Sequence, residues 1–360
     1  MNNVVFQLEI VKRVLAKGRR SLTYLGMQGL RQIEFFPSDG TQKMRILILA
    51  PGNVQIPPLG WGAVETVISE TIPEYQKNGC SVILLNSKAV VDLWCALRFK
   101  PDVVLVHDDL ATARARFFFS RSRIIAVCHY GLSAKPDLWH RSFKKVISKL
   151  NNADYIICLN PTIYQVFLEY FPLKKLVISP NGSSFSPLVS EVPGEGIICV
   201  GKVEPRKKQF ELFESLSEIG VEITFVGEIA DKRVQNLLER DPGLTRFFVG
   251  PWSRNELSKN LPKYKALLLS SLGEADALVL YEAQLAGLNV IVNKSSLGSQ
   301  DSTLPWIHVT NDDLTSQELS MAIEHAYLFP LEITRYANLN YNWQKRNLAL
   351  LNLILEGNPG

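Results

Sequence analysis

The sequence predicts an α/β protein of two domains, each a doubly wound parallel sheet, on three observations. Apolar runs of strand length alternate with helical patterns from Met44 onward. The alternation lapses over residues 181–196 (NGSSFSPLVSEVPGEG), where Ser, Pro and Gly displace it. It restarts at Ile197-Ile198-Cys199-Val200. The expected division is an N-terminal extension over 1–43, a first domain over 44–180, a linker over 181–196, a second domain over 197–330 and a C-terminal segment over 331–360.

In the extension, Val4, Val5, Leu8, Val11 and Leu15 recur at helical spacing beside Lys12, Arg13, Lys17, Arg19 and Arg20. This reads as a helix packed on the body or, alternatively, as one lying in a membrane interface. Charges interrupt each of its short apolar runs, so it is a poor secretory signal. Arg45-Ile46-Leu47-Ile48-Leu49-Ala50 is the first buried strand. A breaker-rich loop over 51–63 follows, then a helix over 64–78 stopped by Gly79. Further strands are expected at 81–85, 103–106, 124–128 and 155–159, with helices between them such as 139–150 and 162–170. In the second domain, strands are expected at 197–200, 222–226, 246–249, 266–269 and 289–292. The tail carries Tyr341-Asn342-Trp343 and a leucine-rich helix.

The 360 residues, 46% hydrophobic and 21% charged, suffice for two ordinary cores. A net charge of +4 is too small to imply nucleic-acid binding but suits an anionic substrate or an anionic membrane surface. The five cysteines (Cys80, Cys95, Cys128, Cys158, Cys199) lack metal-ligand spacing and mostly lie in apolar runs, as in a reduced, cytoplasmic protein. No apolar stretch approaches the ~20 residues of a membrane span, so a soluble or peripheral protein is expected.

The chemistry gathers around Gly273-Glu274-Ala275-Asp276-Ala277-Leu278-Val279-Leu280-Tyr281-Glu282, which follows the apolar run Ala266-Leu267-Leu268-Leu269. A turn from a parallel strand into a helix is where ligands bind, and amides around Ala277 and Leu278 would favour an anion. On a helix, eight positions between Glu274 and Glu282 span ~12 Å, far more than the ~5 Å between the carboxyls of a retaining glycosidase. They are therefore not a paired acid and base. Carboxylates at two ends with an anion site between them suit an elongated ligand with hydroxyls at both ends and phosphates in its middle. The alternative is a solvated Glu274 and a salt-bridged Glu282.

A second segment, Gly201-Lys202-Val203-Glu204-Pro205-Arg206-Lys207-Lys208, leaves the first strand of the second domain. Cations beside a helix N-terminus are poorly placed unless an anion binds there, although a solvated basic helix start has the same composition. Gly60-Trp61-Gly62-Ala63 occupies the first strand-to-helix loop, where glycines let a backbone approach a ligand, or simply turn. It lacks G-x-G-x-x-G, which counts against a nicotinamide enzyme. His129 ends a buried strand and is read either as a cleft residue or as a structural one. His107-Asp108-Asp109 reads as a loop and helix cap in preference to a cation site. Asp276 reads as a cap for the Glu282 helix that could also meet a sugar hydroxyl.

Glu274, seven residues and Glu282, followed by Gly287 and the apolar Asn289-Val290-Ile291-Val292, resembles the signature of retaining glycosyltransferase family 4, the glycosyl transferases group 1. The resemblance covers most of 44–355 and implies a GT-B architecture, two Rossmann-like doubly wound domains facing across a cleft, with a last helix returning to the first domain. It assigns Glu274 and His129 to the transferred sugar, Glu282 to the ribose, Lys202 and Lys207 to the diphosphate, and the Gly62 loop to the donor phosphates and the acceptor. The amides at Ala277 and Leu278, read from the helix start, join the lysines on the diphosphate. One departure is Lys208, where the family usually has Gly. The expected activity is metal-independent, cofactor-free transfer of a hexose-type sugar from a nucleotide-diphosphate sugar to an acceptor hydroxyl. The alternatives are a sugar-nucleotide epimerase or phosphorylase of the same fold, or a non-catalytic nucleotide-sugar-binding module.

Overall fold

A computed structural model describes residues 21–26, 29–60, 62–189, 192, 194–313, 315–326 and 330–356. The helical pattern of Val4 to Leu15, and Trp61, lie outside the described residues.

The first sheet has eight strands. Its elements in chain order are β1 (Ser21–Gly26), β2 (Gly29–Phe36), β3 (Met44–Ala50), α1 (Ala63–Lys77), β4 (Cys80–Ser87), α2 (Val90–Ala96), β5 (Val103–Val106), α3 (Thr112–Phe118), β6 (Arg123–Cys128), α4 (His140–Leu150), β7 (Tyr155–Cys158), α5 (Pro161–Leu168) and β8 (Leu176–Ile178). The strand order is β1-β2-β4-β3-β5-β6-β7-β8. β3 to β8 are parallel, and their near-continuous Ile, Leu and Val runs suit strands covered on both faces. β1 and β2 form an antiparallel hairpin whose second strand lies along β4, so part of the stretch before Met44 extends this sheet. The chain runs from β3 outward to β4, then returns to place β5 on the other side of β3. This reversal opens a crevice at the carboxyl ends of β3 and β5.

The second sheet has five parallel strands ordered β10-β9-β11-β12-β13. Its elements are β9 (Ile197–Val200), α6 (Gln209–Glu218), β10 (Ile223–Val226), α7 (Lys232–Arg240), α8 (Arg254–Asn260), β11 (Ala266–Leu269), α9 (Leu278–Leu285), β12 (Asn289–Asn293), β13 (Ile307–Thr310) and α10 (Ser316–Glu324). The same reversal occurs between β9 and β11, so the loops leaving these two strands are neighbours. The strand expected at 246–249 does not form. Pro242-Gly243 starts a 3₁₀ turn over Pro242–Arg246, and Phe248 makes only an isolated bridge to Phe225.

The chain closes with α11 (Pro330–Asn340), α12 (Trp343–Arg346) and α13 (Leu348–Glu356). Leu350, Leu351, Leu353 and Ile354 of α13 join the core of the first sheet, where Arg123 donates to the Leu353 carbonyl at 2.6 Å. Trp343 packs in the second domain's core. All five cysteines are buried and unpaired, and none of the described helices is long and apolar enough to cross a membrane.

Candidate active site

The loop after β9 begins at Gly201, whose φ of 146° few side-chain-bearing residues adopt. A Cβ there would stand 2.9 Å from Lys207 Nζ, so the ammonium lies directly over this glycine. Pro205–Lys207 form one 3₁₀ turn, and Lys208 carries the chain into α6 at φ 52°, in the left-handed region. That conformation gives the Gly expected at this position its physical reason. Here the Lys208 ammonium donates to the Asp312 carbonyl at 2.8 Å.

The neighbouring loop, after β11, presents Glu274. Its Oε1 lies 3.1 Å from Arg206 Nη1 and 3.5 Å from Lys207 Nζ. Burial pushes the carboxyl's pKa up, but the charges of Lys207 and Arg206 outweigh this and hold it below the usual range. Arg206 also donates to the Gly273 carbonyl at 2.7 Å and to Ser271 Oγ at 3.1 Å, fixing the loop. Sequence reasoning missed Arg206. A guanidinium suits a multi-acceptor position that a lysine cannot fill, and that was the available signal.

Ala277 is the N-cap of α9 without a side-chain cap, and Leu278 is its buried first residue. Asp276 does not cap this helix. It accepts from the Asn181 amide at 2.8 Å, the Ser299 amide at 3.1 Å and the Tyr281 hydroxyl at 2.6 Å. These three donors consume the carboxylate in a buried tie between the second domain and the connecting segment. Because 274–277 are not helical, the helical rise estimated between Glu274 and Glu282 applies only to part of that interval.

From the first domain, His129 follows β6 and is half-buried, with Nε2 2.9 Å from Nδ1 of the buried His107 and the two rings stacked. Burial lowers the His129 pKa to about 4 and the His107 pKa well below normal, so the pair is neutral near pH 7. His107 is thus a partner of His129, not a loop cap; its Nε2 has no hydrogen-bond partner. Asp108 accepts from the Leu110 amide at 3.1 Å, closing a turn, whereas Ala111 is the N-cap of α3. Burial raises the Asp109 carboxyl to about 7.

The two half-sites touch. A Cβ on Gly131 would fall 2.8 Å from both the Ala275 amide and the Gly273 carbonyl, so the loop after His129 lies against the loop bearing Glu274. Asn160, the N-cap of α5, donates to the Ala275 carbonyl. Lys135 pairs with Asp312 at 2.7 Å.

Other expected residues lie apart from this contact. Lys202 is 37% exposed, 3.7 Å from Glu228. Gly62, at φ 139°, is the N-cap of α1, and a Cβ there would meet Glu65 and Pro58 at 3.1 Å. Glu282 is buried and held by Arg254, whose other amino group reaches Glu70 of α1 at 2.7 Å. Among the described residues, no group of three or more His, Cys, Asp or Glu is arranged to hold a metal ion.

No family model matches the sequence, and no curated protein matches it. Solved structures do. The lipopolysaccharide outer core galactosyltransferase WaaB is similar at a TM-score of 0.64 and 18% identity, over 87% of this chain and 100% of that one. Sucrose-phosphate synthase from Thermosynechococcus elongatus is similar at 0.69 and 14% identity, over 86% and 98%. HepE from Anabaena, solved in complex with UDP-glucose, is similar at 0.65 and 15% identity, over 86% and 98%. With sheets, crevices and similar structures in agreement, the chain has the GT-B fold of two Rossmann-like domains facing across a cleft.

Proposed function

We propose that this protein is a retaining glycosyltransferase that moves a hexose-type sugar from a nucleotide-diphosphate sugar to an acceptor hydroxyl. The observation that carries the reading is the contact of Lys207 and Arg206 with Glu274 at the reversal between β9 and β11, with the His129 loop laid against it. A diphosphate entering this crevice meets two cations already ordered by a carboxylate, and no metal is needed to offset its charge. As the sugar bond breaks, negative charge grows on the phosphate, and Lys207 stabilises it without reorganising. Lys202 and the amides at Ala277 and Leu278 complete the phosphate contacts from the same domain.

Glu274 and His129 orient the sugar. The half-buried, neutral imidazole does so through hydrogen bonds, not charge. Glu282 anchors the ribose by exchanging part of its contact with Arg254 for the sugar hydroxyls, and the Gly62 loop faces donor and acceptor from the first domain. The departing phosphate takes the acceptor's proton, so no separate base is required. HepE, of the same fold, was solved with UDP-glucose, which makes a UDP-hexose the first donor to try.

The test is a thermal shift of the full chain against a panel of nucleotide sugars, since a ligand of the native state alone raises the melting temperature. A rise with one donor, followed by acceptor-dependent product of retained configuration, is expected. No rise with any member, or a changed sugar without an acceptor, sinks the proposal.

A further inference from the structure

Three helices on one side of the first domain carry an amphiphilic surface that the transfer chemistry leaves unused. Phe117 on α3 is 79% exposed, and Trp94 and Val90, one turn apart on α2, are 59% and 50% exposed. The Trp94 ring meets Phe118 edge-on at 5.4 Å, and Arg114 on α3 donates to the Lys88 carbonyl at 3.5 Å, which joins the two helices. α4 adjoins α3, because Thr112 Oγ1 donates to the Lys149 carbonyl at 2.6 Å.

The charge around these apolar residues is predominantly positive. Residues 110–153 contain nine Lys and Arg but a single carboxylate, Asp137. Four of the nine are engaged in the fold: Arg114 with the Lys88 carbonyl, Arg116 with Asp154, Lys135 with Asp312, and Arg123 with backbone carbonyls near the C-terminus. Arg121, Arg141, Lys144 and Lys145 remain exposed. On the α2 side, Lys88, Arg98 and Lys100 are exposed, whereas Asp92 is buried against Arg31.

We infer that this face docks on an anionic membrane surface. Exposed Trp and Phe side chains insert at headgroup depth, and the surrounding cations meet lipid phosphates. A second copy of the chain is a poor occupant, because a two-fold contact would place like-charged faces together.

Flotation of the full chain with vesicles tests this. Wild type should float with phosphatidylcholine vesicles containing phosphatidylglycerol, not with phosphatidylcholine alone, and should be released by about 0.5 M NaCl. Phe117→Glu, and separately Lys144→Glu with Lys145→Glu, should each lower partitioning about tenfold or more with an unchanged melting temperature. Equal binding to both vesicle types, no binding to either, or both variants floating like wild type would overturn the inference. The last result would place the binding elsewhere, for instance in residues 1–20. A solution dimer that Phe117→Glu dissociates would equally overturn it.

Discussion

Arg254 crosses the cleft to Glu70, at 2.7 Å, while its other amino group holds Glu282 in its own domain. Glu70 also accepts from the Ser184 amide and from Trp343 Nε1, both at 2.7 Å. One carboxylate on α1 thus gathers the second domain, the connecting segment and the C-terminal tail. Replacing it with Ala strands these donors in a half-buried site. Glu70→Ala should cost ~2–4 kcal/mol, measured by urea denaturation, and should split the unfolding into two transitions as the domains lose coupling.

Glu282→Gln keeps the shape of the side chain but removes its charge, and Arg254 retains Glu70 as a partner. The expected effect is on binding: nucleotide affinity weaker by ~1–3 kcal/mol, read by calorimetry, with little change in melting temperature. A variant that binds nucleotide like wild type would remove Glu282 from the ribose site.

Lys207→Ala withdraws the cation nearest the growing phosphate charge. Turnover should fall by ~2–4 kcal/mol of lost charge stabilisation, whereas the Michaelis constant for the donor changes less, because Arg206 still neutralises Glu274. Steady-state kinetics separate the two, and equal turnover would exclude the assigned role.

Gly131→Ala tests the contact between the half-sites. The added methyl meets backbone atoms of Gly273, Glu274 and Ala275, which cannot swing aside. Parting the loops should cost ~1–3 kcal/mol of stability and depress turnover more than nucleotide binding. Unchanged kinetics would mean that the loops need not touch during transfer.

The pH dependence follows from two opposed shifts. His129 titrates near 4 when folded against ~6.5 when unfolded, so its contribution is present above ~6.5 and is lost as pH falls toward 4. His107 acts in the same direction. Asp109, raised to about 7, does the reverse: its contribution is present below ~4 and is lost as pH rises to 7. The two partly cancel in the wild type. Asp109→Asn should therefore lose stability more steeply than wild type between pH 7 and 4.5, by ~2–3 kcal/mol over that range. Parallel melting-temperature profiles would refute this.

The first sheet's strands were legible because both-face burial demands unbroken apolar runs such as Ile46 to Leu49, a strictly local property. Glu274 and Lys207 were legible for a related reason. Each follows such a run, and a reversal of strand order brings the carboxyl ends of β9 and β11 together. The expected strand at 246–249 failed because its two phenylalanines are apolar enough for a strand, while Pro242-Gly243 sets a turn beside them. Local order could not reveal the pairing of His107 with His129. Nor could it reveal the tie from Glu70 to Arg254, 184 positions apart, because a charged residue's partner is set by where distant elements dock. By itself the sequence determined the alternation of strands and helices and the chemical type of each loop, since periodicity and composition act between near neighbours. Only the tertiary structure decided which carboxylate meets which cation, because that depends on how two separately cored domains close on one another.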